Sequence, residues 1–317
     1  MPKTAEPFHL KPAKTLTTLL LDRSGSMFRH HAQTITAING WIGKLRSSGE
    51  DIRLSFIQFD RHAGEICLEK VHVARRIAEV PDLEPADFSP RGDTPLIDAA
   101  MDTILAIAAS LEGPRGEGVK VVIAIQTDGL ENASRRYTWD DLKTEIARRE
   151  AAGWEFVFMG AGLGQTTYEM ADMMGISAEK TISYGTDMAE TRAAFEATAM
   201  NTVAYASGIM RSMAYTDIQK SASGDVASPG ARPVRKSKEP APAAPAAPVG
   251  AAPGYMMPGA LGLAPQGGNP FWGRIVAGRR MEDPVAADPA EAALLRSAAL
   301  TSEISAALDA PAPEAKP

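Results

Sequence analysis

Apolar and polar positions alternate in blocks along the first two thirds of the chain. Leu16 to Leu21 has the length and apolar weight of a buried strand. The period then lengthens, and Ile35, Ile38, Ile42 and Leu45 fall on one face of a helix. From Ile52 to Phe59, Leu54, Phe56 and other apolar residues interleave with polar ones, as in a strand. A second strand over 63–73 after a tight turn predicts an antiparallel hairpin. A helix over 95–111 carries Leu96, Ala100, Ile104, Ala108 and Leu111 on one side, and Val119 to Ile125 is a buried strand. A helix over 139–152 is stopped by Gly153, a strand runs from Trp154 to Met159, and a short helix over 166–174 ends at Gly175. A brief strand, Thr181 to Tyr184, precedes a long helix marked by Phe195, Ala199, Val203, Ala206, Met210 and Met213.

Strands alternating with amphipathic helices predict an α/β fold: a doubly wound, mostly parallel central sheet with helices on both faces. Ligands of such sheets bind beyond the carboxyl ends of the strands. A short arm, 1–14, precedes this domain, which is expected over 15–216. Composition then shifts to Pro, Ala, Gly and Ser, and residues 217–288 read as a disordered linker. Its run Pro240 to Pro248 cannot bury enough apolar surface to offset its ordering entropy. Within it, Asn269 to Val276 forms an apolar island around Phe271 and Trp272. A final helix is expected over 289–309, with Asp288 as N-cap and Pro289 at the first position. Its narrow apolar face of Leu300, Ile304 and Leu308 suits docking on the main domain or on a partner, and residues 310–317 form a disordered end.

The formal net charge of −6 argues against nucleic-acid binding, which needs a basic surface. Arg232, Arg235, Lys236 and Lys238 cluster in the linker and read as a solvated charge run. A single cysteine, Cys67, excludes an internal disulfide and suits a reducing compartment. No signal-like or membrane-spanning apolar segment is evident, which makes a cytoplasmic location the default.

The unusual residues gather after predicted strands and before a predicted helix. Asp22-Arg23-Ser24-Gly25-Ser26 follows the first strand, Gly92-Asp93-Thr94 opens the helix at 95, and Thr127-Asp128-Gly129 follows the buried strand. Two carboxylates and several hydroxyls, with no His or Cys in the motifs, are oxygen donors suited to a hard cation such as Mg2+, or Mn2+ in its place. Asp93 could reach such an ion through water, although a loop charge is the simpler account. Asp98 reads as a helix-start charge.

These motifs closely resemble the metal-ion-dependent adhesion site of the von Willebrand factor A family, in its bacterial or phage single-domain form. Its Asp-x-Ser-x-Ser is matched by Asp22, Ser24 and Ser26, its threonine by Thr94, and its strand-end Asp-Gly by Asp128 with Gly129. The resemblance spans about 16–213. It implies a Rossmann-like fold and an ion held by Asp22, Ser24, Ser26, Thr94 and Asp128, with one coordination position left for a carboxylate of the partner. It also implies a binding or adaptor module rather than an enzyme. The partner would be a protein presenting Asp or Glu, such as an AAA+ ATPase or a multisubunit assembly.

Rival readings are weaker. Gly160-Ala161-Gly162-Leu163-Gly164 resembles a phosphate loop, but its third glycine is misplaced and no Lys-Ser/Thr follows. Haloacid-dehalogenase-type phosphatases need an acid where Ser24 stands. His9, His30, His31, His62 and His72 lie outside the motifs, with only His30 and His31 able to approach the ion. The alternative function is a metal-dependent hydrolase acting on a phosphate ester or similar small substrate. A folded domain tied by a flexible linker to a terminal helix also suits a tethered adaptor.

Overall fold

The computed structural model describes residues 14–228 and 289–310. Thr15–Asp22 forms β1, the central strand, buried at every position on both faces. It pairs in parallel with β2 (Ile52–His62) on one side and β4 (Lys120–Thr127) on the other. β5 (Glu155–Ala161) and β6 (Thr181–Tyr184) extend the sheet in parallel, and β3 (Glu65–Arg76) closes the other edge antiparallel to β2. The order is β3-β2-β1-β4-β5-β6. The doubly wound, mostly parallel sheet expected from the hydrophobic pattern is the observed one.

Side-chain alternation along the strands divides the core in two. Leu19, Leu21, Leu54, Phe56, Val122 and Val157 face α1 (His31–Ser47) and α5 (Met188–Ala206). Leu16, Leu20, Ile57, Phe59, Ile123 and Phe156 face α2 (Leu96–Ser110), α3 (Trp139–Ala151) and α4 (Gln165–Met174).

β2 illustrates the limit of pattern reading. Its interleaved Arg53, Ser55, Gln58 and Asp60 are buried rather than solvent-facing. Each of these side chains makes at least one hydrogen bond: Ser55 Oγ accepts the N–H of Ala74 at a register shift, and Gln58 donates to the carbonyl of Asp87.

Two boundaries differ from expectation. The helix expected to reach Met213 ends at Ala206. Gly208 follows with a left-handed φ of 79°, open to glycine at little cost, and Met213 is buried from a loop instead. Ordered structure also continues past 216. Thr216 and Gln219 form a reciprocal cap on α6 (Asp217–Ala222). Beyond it, Asp225 accepts the N–H of Ser183 and the hydroxyl of Tyr168, and Ser223 accepts the N–H of Gly185. These bonds cover the free edge of β6, where open strand groups would invite pairing with another chain.

Pro289–Asp309 forms α7. Its Leu300, Ile304 and Leu308 join the α2 side of the core, and Asp309 makes a two-bond pair with Arg115. Among the described residues no helix is long and apolar enough to cross a membrane. The basic cluster at 232–238, the island at 269–276 and residues 1–13 and 311–317 lie outside the described residues.

Candidate metal centre

β1 and β4 are neighbours in the sheet and end side by side, so Asp22 and the 127–129 segment meet. Asp22 is fully buried. Its Oδ1 accepts the N–H of Ser24 at 2.7 Å, and its Oδ2 accepts the hydroxyl of Thr127 at 2.5 Å. After β1 the chain turns through a 3-10 segment, Gly25–His30, which brings Ser24 Oγ within 3.0 Å of Ser26 Oγ. Ser26 Oγ in turn donates to Asp128 Oδ1 at 2.6 Å. Four of the five residues singled out by sequence are therefore joined in one hydrogen-bonded string.

Thr94 comes from the third loop. A Cβ placed on Gly129 would stand 3.4 Å from Thr94 Oγ1, 3.7 Å from Ser26 Oγ and 4.0 Å from Asp22 Oδ2. All five side chains thus converge on one spot, and the missing side chain of Gly129 leaves it open. The loop carrying Thr94 is pinned from two sides. Asn132 Oδ1 accepts the N–H of Thr94 at 2.9 Å, and the carbonyl of Gly92 accepts the N–H of Gly25 at 3.0 Å. Gly92 has φ of 69°, and a Cβ there would approach the carbonyl oxygen of Arg61 to 2.1 Å, so only glycine fits.

Burial sets the electrostatics. It pushes the Asp22 carboxyl up to about 6, against the pull of its hydrogen bonds from Thr127 and Ser24. Asp128 is also pushed up by burial, while Ser26, His30 and Arg29 act in the opposite direction. Among the described residues no lysine or arginine is in contact with either carboxylate. The nearest cationic candidate is His30, whose Nε2 stands 3.9 Å from Asp128 Oδ2. A divalent cation would relieve both carboxylates, and the hydroxyls supply further hard donors, so the residues present fit such an ion. Among the described residues no group of three or more His, Cys, Asp and Glu side chains is arranged to hold a metal. Any ion here would depend on the hydroxyls.

The remaining sequence candidates separate. Asp93 is exposed, and its backbone bridges to Arg61. Asp98 is buried and accepts the backbone N–H groups of Arg135, Arg136 and Tyr137, which makes it a loop anchor. His31 is held away from the centre, stacked on Phe88 and bonded to its carbonyl at 2.6 Å. The glycines of 160–164 serve packing: a Cβ at Gly160 would meet Thr167 Oγ1 at 2.2 Å, and Gly162 and Gly164 take left-handed φ values.

Several residues that shape the site were not among the ligands singled out by sequence. Thr127, inside the third motif, holds Asp22 in place. Asn132 positions Thr94 from an otherwise featureless loop. Asp60, at the end of β2, is fully buried and gripped by Arg23 and Arg91, each at 2.8 Å, which ties the first two loops together.

No protein-family model and no curated protein matches this sequence. Solved structures similar to it include the pilus adhesin SpaC from Lactobacillus rhamnosus GG, at 14% identity over 61% of this chain and 31% of that one, with a TM-score of 0.46. Another is proximal thread matrix protein 1 from the mussel byssus, with a zinc-occupied MIDAS motif. It is 16% identical over 61% of this chain and 45% of that one, with a TM-score of 0.42. A third is a von Willebrand factor type A protein from Catenulispora acidiphila, at 14% identity over 60% and 43%, with a TM-score of 0.36. The matched region spans less than half the length of each of these proteins. The likeness is one of fold at low identity, and the proteins on that side of it include a von Willebrand factor type A protein.

Proposed function

We propose that this chain is a divalent-metal-dependent protein-binding module. Asp22, Ser24, Ser26, Thr94 and Asp128 would hold Mg2+, with Mn2+ able to replace it, and an Asp or Glu of a protein partner would complete the site. The observation that carries this reading is the convergence of the buried Asp22 and half-buried Asp128 carboxylates with three hydroxyls, with no lysine or arginine among the described residues in contact. When bound, the ion supplies Lewis acidity towards a further carboxylate. Two protein carboxylates roughly balance a dication, and the neutral hydroxyls leave its attraction for a third carboxylate intact. Thr127 and Asn132 orient Asp22 and Thr94 before any ligand arrives.

A role as an adaptor, for example on an AAA+ ATPase or within a multisubunit assembly in the cytoplasm, suits such a module. A phosphate-ester hydrolase is the rival, and a screen against chromogenic phosphate esters separates the two. The primary test is calorimetric titration of metal-free protein with Mg2+ and Mn2+, alongside Asp22→Ala and Asp128→Ala. Saturable one-site binding lost in both variants is expected. Absence of binding by a folded wild-type chain rejects the reading.

A further inference from the structure

Large apolar side chains stand open to solvent in two of the loops that form the candidate centre. Phe28 is 74% exposed and Leu130 is 55% exposed. The other six phenylalanines among the described residues are exposed by 1% or less, so Phe28 is the exception among them. Each of the two lies two residues beyond a member of the Ser26–Asp128 contact of 2.6 Å. At most about 7 Å of backbone separates either from that contact.

Neither segment is loose. Met27, next to Phe28, is fully buried, and its N–H is bonded to the carbonyl of Ser24 at 3.1 Å. Leu130 is bracketed by the N–H of Gly129 on Thr127 Oγ1 at 3.0 Å and the N–H of Asn132 on the carbonyl of Thr94 at 3.1 Å. A pinned apolar group held in water forgoes burial, and it can bind a partner with little further loss of freedom. Glu131, next to Leu130, is taken up by the N–H groups of Ile97, Ala133 and Ser134, and two arginines stand nearby. Arg29 follows Phe28, and Arg135 lies in the loop of Leu130. Both are exposed, and neither guanidinium makes an ion pair among the described residues.

We propose that Phe28 and Leu130 clamp an apolar side chain of the partner while Arg29 and Arg135 draw in its flanking acids. The partner is then an extended acidic segment with a bulky apolar residue beside its ion-binding Asp or Glu. This specificity rests on the ion-dependent reading of the site given above. Apolar contact selects the neighbour of the carboxylate, and the arginines speed encounter with acidic sequence in a salt-dependent way.

The test uses the full chain at saturating Mg2+ and two dye-labelled hexapeptides, Gly-Leu-Asp-Glu-Leu-Gly and Gly-Ser-Asp-Glu-Ser-Gly, followed by fluorescence anisotropy. The leucine peptide is expected to bind about tenfold more tightly, which corresponds to the partial burial of one leucine. The double variant Phe28→Ser, Leu130→Ser is expected to bind both peptides at the weaker level, with its calorimetric Mg2+ titration unchanged. Arg29→Gln with Arg135→Gln should weaken both peptides about fivefold at low ionic strength, a loss that shrinks as salt is added. Equal binding of the two peptides by the wild type overturns the clamp and leaves the ion-dependent reading standing, as does a preference that survives in the serine variant. If neither peptide binds in a Mg2+-dependent way, the reading of the site falls and the clamp with it.

Discussion

Two sets of carboxylates surround the start of α2, and their company differs in kind. Asp98 accepts three consecutive backbone N–H groups, and the adjacent Arg136 grips Asp102 through two bonds at 2.8 and 2.6 Å. Glu131 accepts the N–H groups of Ile97, Ala133 and Ser134 and the hydroxyl of Ser134. Asp22 and Asp128, on the adjoining loops, are met chiefly by hydroxyls, with one backbone N–H at Asp22. The first set spends its charge on the protein and fixes the 131–137 loop. The second set keeps its charge largely unpaired, and burial makes that charge costly to hold without a counter-ion.

Removing an anchor should have the largest effect. Asp98→Ala strips the acceptor from three N–H groups and is expected to lower stability by about 3 kcal/mol, equally with and without Mg2+, in chemical denaturation. Asp22→Asn should move the other way. Because the folded Asp22 carboxyl is raised to about 6, the folded chain holds a proton that the unfolded chain has already released. Metal-free wild type should therefore lose stability as pH climbs from about 4 to about 6, and remain lower above that. The Asn variant has no such charge, and Thr127 can turn its hydroxyl to the carbonyl of Gly129 at 3.1 Å. It is expected to be about 2 kcal/mol more stable than metal-free wild type at pH 7 and to gain nothing from Mg2+, read by thermal melts across pH.

A smaller effect tests the link between the two sets. Asn132→Ala frees the N–H of Thr94 and should weaken Mg2+ binding about tenfold by calorimetry, with little loss of fold. Smallest of all, Asp93→Ala should leave both stability and Mg2+ affinity within about 0.5 kcal/mol of wild type. A larger loss of affinity there would return Asp93 to the site and blur the contrast between spent and unpaired charge.

Much of this was legible along the chain. The strands and most helices followed from periodicity, because a buried strand and an amphipathic helix each leave a local repeat. Asp22, Ser24, Ser26, Thr94 and Asp128 stood out because each lies at a strand end or a helix start, where side chains from separate loops can meet. Other features left no local trace. The burial of the polar positions of β2 depends on cover over both faces of the sheet. The end of α5 at Ala206 rests on one glycine within a continuing apolar period.

Local order in the chain was enough to determine the α/β alternation and the kinds of donor atom available, since both depend on neighbours a few residues apart. Only the tertiary structure decided which carboxylates are spent and which are free. Asp98 and Asp22 are equally acidic as letters, and the difference lies in groups brought to them from 37 and 105 residues away. Hydrogen bonding and desolvation act through space, so the charge state of a buried carboxylate is a property of the packed loops around it.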